Sequence, residues 1–255
     1  MNMSDPSQLE VYWEKITTLL RELKENELPN VQAAALLLAR QIQQDRLIYV
    51  YGAGGHSVIG TEEFFWRAGG LCNVSPLFEA SLLLSGGGQK STLLERVPGI
   101  GDKLVATNGL GAEDVLIVTS IYGMNAATLD AALEAKRRGT TVIAITSRAH
   151  ASKTPADFVA RHPSRKNLFE VADIVIDNHV PHGDLLIRLP DFGQMLAASS
   201  TILVSFAVNW LVMETVQCCL DQGIEPKVWQ SGNIPGGDAF NDQQMRHFAP
   251  RIKAL

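Results

Sequence analysis

The sequence predicts an α/β fold built on a doubly wound, five-stranded parallel sheet. Short apolar, β-branched runs alternate along the chain with helical patterns, which is typical of strands buried between two layers of helices. Two of these runs, within 45–57 and 114–125, end in a turn of small residues and lead into a helical pattern. Because the carboxyl ends of parallel strands meet at one edge of a sheet, we expect the two turns to share a crevice.

A pair of helices is predicted ahead of the first strand, over 8–45. Residues 8–26 place apolar side chains at helical spacing, and Ser7 with Glu10 has the pattern of a capping box. Pro29 is expected to open a second helix, over 30–45, because proline is favoured in the first helical turn. Such a pair would cap the sheet or pack on a partner subunit.

The remaining elements follow from the same patterns. The predicted strands are 47–51, 71–74, 115–119, 142–146 and 174–177, and the predicted helices between or after them are 57–68, 126–138 and 199–222. Segments 81–110 and 148–168 are rich in glycine or polar residues and are predicted as loops. The C-terminal tail, 224–255, is predicted to contain no helix before about residue 241.

Length and composition limit the classes of protein to which the chain can belong. With 255 residues, 46% hydrophobic and 19% charged, we expect a single domain over 1–255 with its core at about 30–220. The net charge is −5 and the basic runs are short, so the sequence does not indicate the basic surface that nucleic-acid binding needs. The three cysteines do not form a disulfide framework and indicate reduced thiols.

No targeting or membrane segment is expected. The N-terminus lacks the charged and apolar regions of a signal peptide. The longest apolar stretch, 201–213, is too short to span a bilayer and contains Ser205 and Asn209. We therefore expect a cytoplasmic protein with no membrane partner and no nucleic-acid partner.

The turn GAGGHS, 52–57, is the first candidate binding site. Its glycines let the backbone come close to a ligand, so that N–H groups and the Ser57 hydroxyl can face an oxyanion. The turn matches neither the dinucleotide fingerprint nor the phosphate loop of nucleotide triphosphatases. The second turn, 120–125, brings hydroxyls, a glycine and an amide to a helix N-terminus, where Ser120 and Asn125 can equally serve as caps.

The two turns and their order resemble the SIS (sugar isomerase) domain family of phosphosugar isomerases and phosphosugar-binding regulators. That family has a first loop G-x-G-x-S and a second loop S-x-S-G-x-[ST], which correspond here to 52–57 and 120–125. ALEAKRRGTTVIAITS (132–147), ADIVIDN (172–178) and the pair at 183–184 follow in the family's order, over about 30–220. RAGG at 67–70 and GNIPGGDAFN at 232–241 are similar to an uncharacterised phosphosugar-binding branch.

The resemblance implies a small-molecule sugar phosphate as the ligand, a dimer or tetramer, no cofactor and no metal. Two positions depart from the family pattern: His56 or Ser57 takes the serine position of the first loop, and Tyr122 replaces the second serine of the second loop. A tyrosine hydroxyl lies farther from the backbone than a serine hydroxyl and does not fit a tight phosphate cradle without rearrangement. This leaves open a phosphate that is held differently, a carboxylate, a sulfonate or a ligand without an anion. The residues implied to bind substrate are Gly54, Gly55, His56, Ser57, Ser120, Tyr122, Gly123, Asn125 and Asp184.

Aldose–ketose isomerisation needs a base, usually a carboxylate, that moves a proton between adjacent carbons. Glu62 and Glu63 are the nearest carboxylates after the first loop, and phosphoheptose isomerases, which the chain resembles, have a catalytic glutamate on that helix. A gapless match puts that glutamate's position one turn later, near residues 66–67, so the assignment stays open.

The family's isomerases also use a histidine from the closing helix, and 199–222 contains none. His56 and His182 are therefore the candidates for a second proton-transfer group. His179 and His182 do not predict a zinc site, because they lack helical spacing and a third ligand.

The sequence thus predicts an aldose–ketose isomerase of a sugar phosphate or a related acidic sugar, in which Glu62 or Glu63, with His56 or His182, moves protons. Two other functions stay open. One is a sugar-phosphate sensor without catalysis, which the absent helix histidine and Tyr122 favour. The other is a lyase or etherase that acts on an amino sugar with the same glutamate as its base.

Overall fold

The central sheet has five parallel strands, as predicted, and their order is β2-β1-β3-β4-β5. The computed structural model describes residues 7–255. Apolar side chains fill these strands because helices cover both faces of the sheet. The strands are β1 (Ile48–Tyr51), β2 (Val74–Pro76), β3 (Val115–Ser120), β4 (Thr141–Thr146) and β5 (Ile174–Asp177).

The helices surround this sheet, and a separate antiparallel hairpin packs against the N-terminal half of α1. The hairpin consists of β6 (Leu185–Arg188) and β7 (Met195–Ala198), which no sequence pattern predicted. The helices of the described chain are α1 (Gln8–Gln43), α2 (Gly55–Phe64), α3 (Gly88–Leu94), α4 (Gly101–Thr107), α5 (Ala126–Arg137), α6 (Arg148–Lys153), α7 (Leu168–Val171), α8 (Ser200–Asp221) and α9 (Gly237–Phe248).

Several boundaries differ from the prediction. The predicted loops 81–110 and 148–168 contain α3, α4, α6 and the first residue of α7, and α9 begins four residues before the predicted start at 241. The helices α3, α4, α6 and α7 have at most seven residues each. A helix of two turns or fewer is too short to display a hydrophobic period, so sequence patterns do not reveal it.

The predicted helical pair is one continuous helix. Its start is as predicted: the Ser7 hydroxyl accepts a hydrogen bond from the Glu10 N–H at 3.2 Å, and the Glu10 carboxylate accepts one from the Ser7 N–H at 2.7 Å. Pro29 lies inside α1 rather than at the start of a second helix. An interior proline costs about 3 kcal/mol, but fully buried residues such as Leu23 and Val31 anchor α1 on both sides of it.

Strand side chains alternate across the sheet and build two separate cores. Ile48, Ile117 and Ile145 belong to the core formed with α1, α2 and α8. Leu116 and Val118 belong to the core formed with α4, α5 and α7. This period of two, with helices on both faces, makes the sheet doubly wound.

α8 is the most apolar helix of the fold. It has the length and composition of a membrane span, with a mean hydropathy of 1.5 in an 18-residue window, of which 50% is buried inside the fold. The buried side packs in the same core as α1 and α2. The opposite side carries exposed apolar residues that we call the α8 stripe: Ile202, Phe206, Met213 and Leu220.

Candidate functional site

The loops after β1 and β3 line one cleft at the carboxyl edge of the sheet. β1 and β3 are neighbours, yet the chain passes from β1 to β2 on one side and from β3 to β4 on the other. A position where the chain leaves two neighbouring strands in opposite directions is a topological switch point. It opens a crevice between helix N-termini, where open α/β sheets bind ligands. The cleft has a volume of about 410 Å³. The predicted binding residues that line it are Gly55, His56, Ser57, Ser120, Tyr122 and Asn125.

Two helix N-termini, those of α2 and α5, border the cleft and bring the positive ends of their dipoles to it. α2 begins directly after Gly54, whose φ of 79° is one that residues with a Cβ rarely adopt. Within residues 7–255, no side chain caps α2 or α5. N–H groups in the first turn of α2 therefore stay available to an anion, whereas in α5 the Ala127 N–H already donates to the Glu95 carbonyl. Arg96 lines the same cleft and adds a positive charge.

Hydrogen bonds fix the two loops against each other. The Thr119 hydroxyl donates to the carbonyl of Ser57 at 2.7 Å, which joins β3 to the first loop. In the second loop, the Ser120 hydroxyl accepts from the Gly123 N–H at 3.1 Å. Gly123 has a φ of 59°, and a Cβ there would lie 2.5 Å from the Thr146 hydroxyl oxygen. The loops are therefore preformed rather than dependent on a ligand for their shape.

Glu95, at the end of α3, is the acidic residue that lines the cleft. It lies against the first loop so closely that a Cβ on Gly54 would be 1.8 Å from its Oε2 atom. Its carbonyl accepts a hydrogen bond from the Ala127 N–H at 2.9 Å, which ties it to α5. Burial raises the pKa of Glu95 to about 7, against the opposing effects of Arg96 and Asn125. A carboxyl group with a pKa near neutrality can both accept and return a proton.

Glu62 and Glu63 lie on α2 but outside the lining of the cleft. Glu62 is exposed. Glu63 accepts a hydrogen bond from the Asn209 side chain on α8 at 2.8 Å and pairs with Arg67 at 3.5 Å. At 1.5 Å per residue, these glutamates are about 10 Å along α2 from its N-terminus. The structure thus brings Glu95 to the two loops and leaves the predicted pair on the far half of the helix.

His56 and His182 lie at the two ends of an aromatic stack. The Tyr122 ring stacks on His150 with centroids 4.0 Å apart, and His150 stacks on His182 at 4.8 Å. His56 meets the edge of Tyr122 at 6.1 Å. Burial, together with His182, lowers the pKa of His150 to about 4, so this ring is neutral near pH 7. Its Nδ1 atom accepts a hydrogen bond from the Gly183 N–H at 3.2 Å.

Asp184 stabilises the start of α8. Its carboxylate is buried and accepts hydrogen bonds from the Ser199 N–H at 2.9 Å, the Ser200 N–H at 2.8 Å and the Ser200 hydroxyl at 2.7 Å. These contacts engage both carboxylate oxygens and hold the start of α8. The predicted role of Asp184 in substrate binding would have to compete with them.

His179 and His182 lie in different surroundings, although they are close in sequence. His182 belongs to the aromatic stack, whereas His179 lies 3.6 Å from the buried Glu27 carboxylate of α1. The bond to Glu27 raises the pKa of His179. Within residues 7–255, no group of three His, Cys, Asp or Glu side chains is arranged to hold a metal ion.

Neither Glu95 nor His150 has a sequence pattern that marks it as functional. Glu95 follows a helix of seven residues, and His150 lies in a short helix within a polar segment. Their one signal is position: each lies in a connection between parallel strands, where such sheets build their sites. Position alone does not separate them from the other polar residues of those connections.

Known proteins resemble the chain in sequence and in fold. The SIS domain family model matches residues 11–147, more than half of the chain. A UPF0309 protein of Geobacillus kaustophilus (strain HTA426) is 36% identical over 244 residues, which cover 96% of this chain and 95% of that protein.

Two solved structures share the fold. Phosphoheptose isomerase from Neisseria gonorrhoeae has a TM-score of 0.53 at 17% identity and covers 84% of this chain and 97% of its own. The Vibrio vulnificus NanR protein, complexed with ManNAc-6P, has a TM-score of 0.51 at 14% identity and covers 97% of this chain and 70% of its own.

Proposed function

The chain belongs to the SIS domain family, and we propose that it binds a sugar phosphate in the cleft and interconverts its aldose and ketose forms. The observation that carries this proposal is Glu95. Its carboxyl group has a pKa near 7 and lies in the same cleft as the N-termini of α2 and α5, neither of which has a side-chain cap. A base beside an anion site is the minimum that isomerisation of a sugar phosphate needs.

The phosphate group would be held mainly by the backbone. N–H groups of α2, the Ser57 and Ser120 hydroxyls and the Arg96 guanidinium are the donors of the cleft. Burial raises the pKa of Tyr122, and Asp184 and Glu95 add to this rise, so the phenol stays protonated and can donate as well. The NanR structure supports this ligand class, because that protein shares the fold and is complexed with ManNAc-6P.

Glu95 replaces Glu62 and Glu63 as the proposed base. Its carboxylate takes the proton from C2 of the open-chain aldose, which leaves an enediolate across C1 and C2. Returning that proton to C1, while a proton moves from the C2 hydroxyl to the C1 oxygen, gives the ketose with no net change in atoms. His56 lines the cleft and is proposed to carry the proton between the two oxygens. His182 contacts the cleft through His150 and Tyr122, so we propose that it supports the wall rather than moving a proton.

Deuterium exchange at C2 of sugar phosphates tests this assignment. In deuterated water, we expect the protein to incorporate deuterium into one aldose or ketose phosphate. Glu95→Gln should slow exchange at least about 100-fold, because general base catalysis contributes about that much or more. Glu62→Gln and Glu63→Gln are the matched comparisons on α2. If one of them abolishes exchange while Glu95→Gln does not, the base is the residue predicted from the sequence.

A sensor without catalysis is the second candidate function. It is favoured by Tyr122 in the second loop and by the absence of histidine from α8. Binding of a sugar phosphate, seen as a rise in melting temperature, without exchange at C2 would support it. Release of an eliminated fragment from an amino-sugar ether would instead identify a lyase or etherase.

The location and assembly of the protein belong to the same proposal. We expect a cytoplasmic protein that acts as a dimer or tetramer and needs no cofactor, nucleic acid or membrane. The α8 stripe is the surface proposed for self-association, because its four apolar residues are exposed at helical spacing on one face, and exposed apolar surface marks interaction sites.

A further inference from the structure

A second pocket lies at the far end of α2, between the segment 66–70 and the tail 229–241. Its volume is about 280 Å³, just below the usual range of ligand pockets, which begins at about 300 Å³. Trp66 and Trp229 form one wall, with their ring centroids 4.5 Å apart and their planes inclined by 58°. The ten residues of α2 span about 15 Å, so this pocket is separate from the cleft at the N-terminus of that helix.

Trp66 is held in a strained conformation that exposes its indole. Its φ is 55°, which is uncommon for any residue with a Cβ and a clear outlier for a bulky one. The side chain is nevertheless 49% exposed, so burial of the ring does not account for the strain. Strain of this kind costs about 1–3 kcal/mol and concentrates at ligand clamps and other functional sites.

Hydrogen bonds make the pocket rigid. The Trp229 carbonyl accepts from the Gly69 N–H at 2.8 Å, and the Trp229 N–H donates to the Gly70 carbonyl at 2.9 Å. The Asn241 side chain accepts from the Gln230 N–H at 2.9 Å and donates to the Gln230 carbonyl at 2.8 Å. The tail is therefore fixed against the segment that presents Trp66, and a ligand would meet a preformed surface.

The polar part of the pocket suits a neutral, hydroxylated ligand. The exposed side chains of Gln230, Asn233 and Asp238 line it, and they offer amide donors, amide acceptors and one carboxylate. No lysine, arginine or histidine of the described chain lines the pocket, so it has no charge with which to hold an anion. It thus differs from the cleft, where Arg96 and two helix N-termini attract negative charge.

We propose that this second pocket binds one uncharged sugar ring. The apolar face of the ring stacks on the indole of Trp66, because an aromatic face and a C–H-rich surface exclude water from each other. The sugar hydroxyls pair with the side chains of Gln230, Asn233 and Asp238. The pocket volume of about 280 Å³ suits a single ring rather than an oligosaccharide. This site stands apart from the phosphate chemistry of the cleft.

Titration with uncharged monosaccharides tests the proposal. Methyl α-glucoside and N-acetylglucosamine are the probes, and saturation-transfer NMR and calorimetry are the measurements. We expect at least one of them to bind the wild-type protein, and Trp66→Ala to weaken that binding at least tenfold. Asn233→Ala, a change on an exposed side chain that leaves the strained segment intact, should weaken it several-fold.

Two control variants show whether the neutral probe binds at Trp66 or elsewhere on the protein. Trp13→Ala removes an indole that is 69% exposed on α1 and should leave the affinity unchanged. Arg96→Ala should weaken binding of a sugar phosphate in the cleft but not binding of the neutral probe. The proposal is overturned if neither probe binds, or if Trp66→Ala binds as the wild type does. It is also overturned if only the cation tetramethylammonium binds at Trp66, because an indole face also attracts cations.

Discussion

Glu95 acquires its chemistry from its surroundings rather than from its residue type. As a residue in a sequence it resembles Glu62 and Glu63, and it is farther from the first loop than either of them. In the fold its side chain lies against Gly54 at the start of α2, and burial raises its pKa to about 7. The difference between a surface acid and a proposed base is therefore the water that the fold removes from around the carboxyl group.

The pH dependence of isomerisation follows from that pKa. A general base must be ionised, and Glu95 is half ionised at about pH 7 and mostly ionised only at higher pH. We expect kcat/KM to rise with pH and to level off above about 7, since this ratio reports the ionisation of the free enzyme. Glu95→Gln should remove this rise together with most of the activity. A profile that is already level from about pH 5 would contradict the assignment, because a carboxylate of ordinary pKa is ionised there.

Asp184 allows the structural and the ligand-binding roles to be distinguished. Asp184→Ala leaves the N–H groups of Ser199 and Ser200 without their acceptor, so the free energy of unfolding should fall by about 2–4 kcal/mol. Asp184→Asn keeps the size and one carbonyl oxygen, and should lose less. Urea denaturation measures both variants. Unchanged stability with lost binding of a sugar phosphate would instead place Asp184 in the site.

At the level of elements, α1 shows how packing overrides a local signal. Proline usually marks the start or the end of a helix, and Pro29 predicted a boundary for that reason. The helix continues because the residues on either side of Pro29 are buried in the same core, including Leu23, Val31 and Leu38. Local preference is a weak prior when a tertiary core holds both flanks.

Removing this proline should stabilise the protein. Pro29→Ala restores one intrahelical hydrogen bond, which stabilises the folded protein. It also removes a conformationally restricted residue from the unfolded chain, which raises the entropy of the unfolded state and opposes part of that stabilisation. We expect the free energy of unfolding to rise by about 1–2 kcal/mol, measured by urea denaturation. Lys24→Ala is the control, because it changes an exposed position of the same helix and should alter stability by less than about 0.5 kcal/mol. Destabilisation by Pro29→Ala would show that α1 needs a bend there.

Across the whole molecule, strand order decides where chemistry can occur. The two loops are more than sixty residues apart in the chain, and they meet because β1 and β3 pair directly. The connections that leave these strands in opposite directions keep the space between the loops open. The strand order thus determines where the cleft lies, and the side chains that line it determine which ligand and reaction it suits.

The α8 stripe provides a test of assembly for the molecule as a whole. Met213→Lys places a charge within an apolar surface that we expect a second copy to cover, so it should convert the oligomer to a monomer. Light scattering coupled to size-exclusion chromatography measures the mass. Val159→Lys is the control, because Val159 is 80% exposed and lies outside α8. A wild-type monomer, or an oligomer that Met213→Lys leaves intact, would contradict the proposal.

Sequence patterns alone were sufficient to predict the α/β class, the parallel strands and the two tight turns after β1 and β3. These features are local: a buried strand is a short apolar run, and a tight turn is a cluster of small residues, so each can be recognised without its neighbours. The order of the loops along the chain was also enough to indicate the family. Sequence patterns did not predict the short helices α3, α4, α6 and α7, because these are too short to display a hydrophobic period. They also did not predict that α1 continues through Pro29, because that depends on tertiary packing.

Folding, by contrast, was needed to bring Glu95 to the first loop and to stack His150 between Tyr122 and His182. Both depend on contacts between segments that are distant in sequence, and on the burial that results from them. Burial sets the pKa of a carboxyl group or an imidazole, and no local pattern records it. The same reason explains why Trp66, an ordinary residue in the sequence, becomes the wall of a second pocket in the fold.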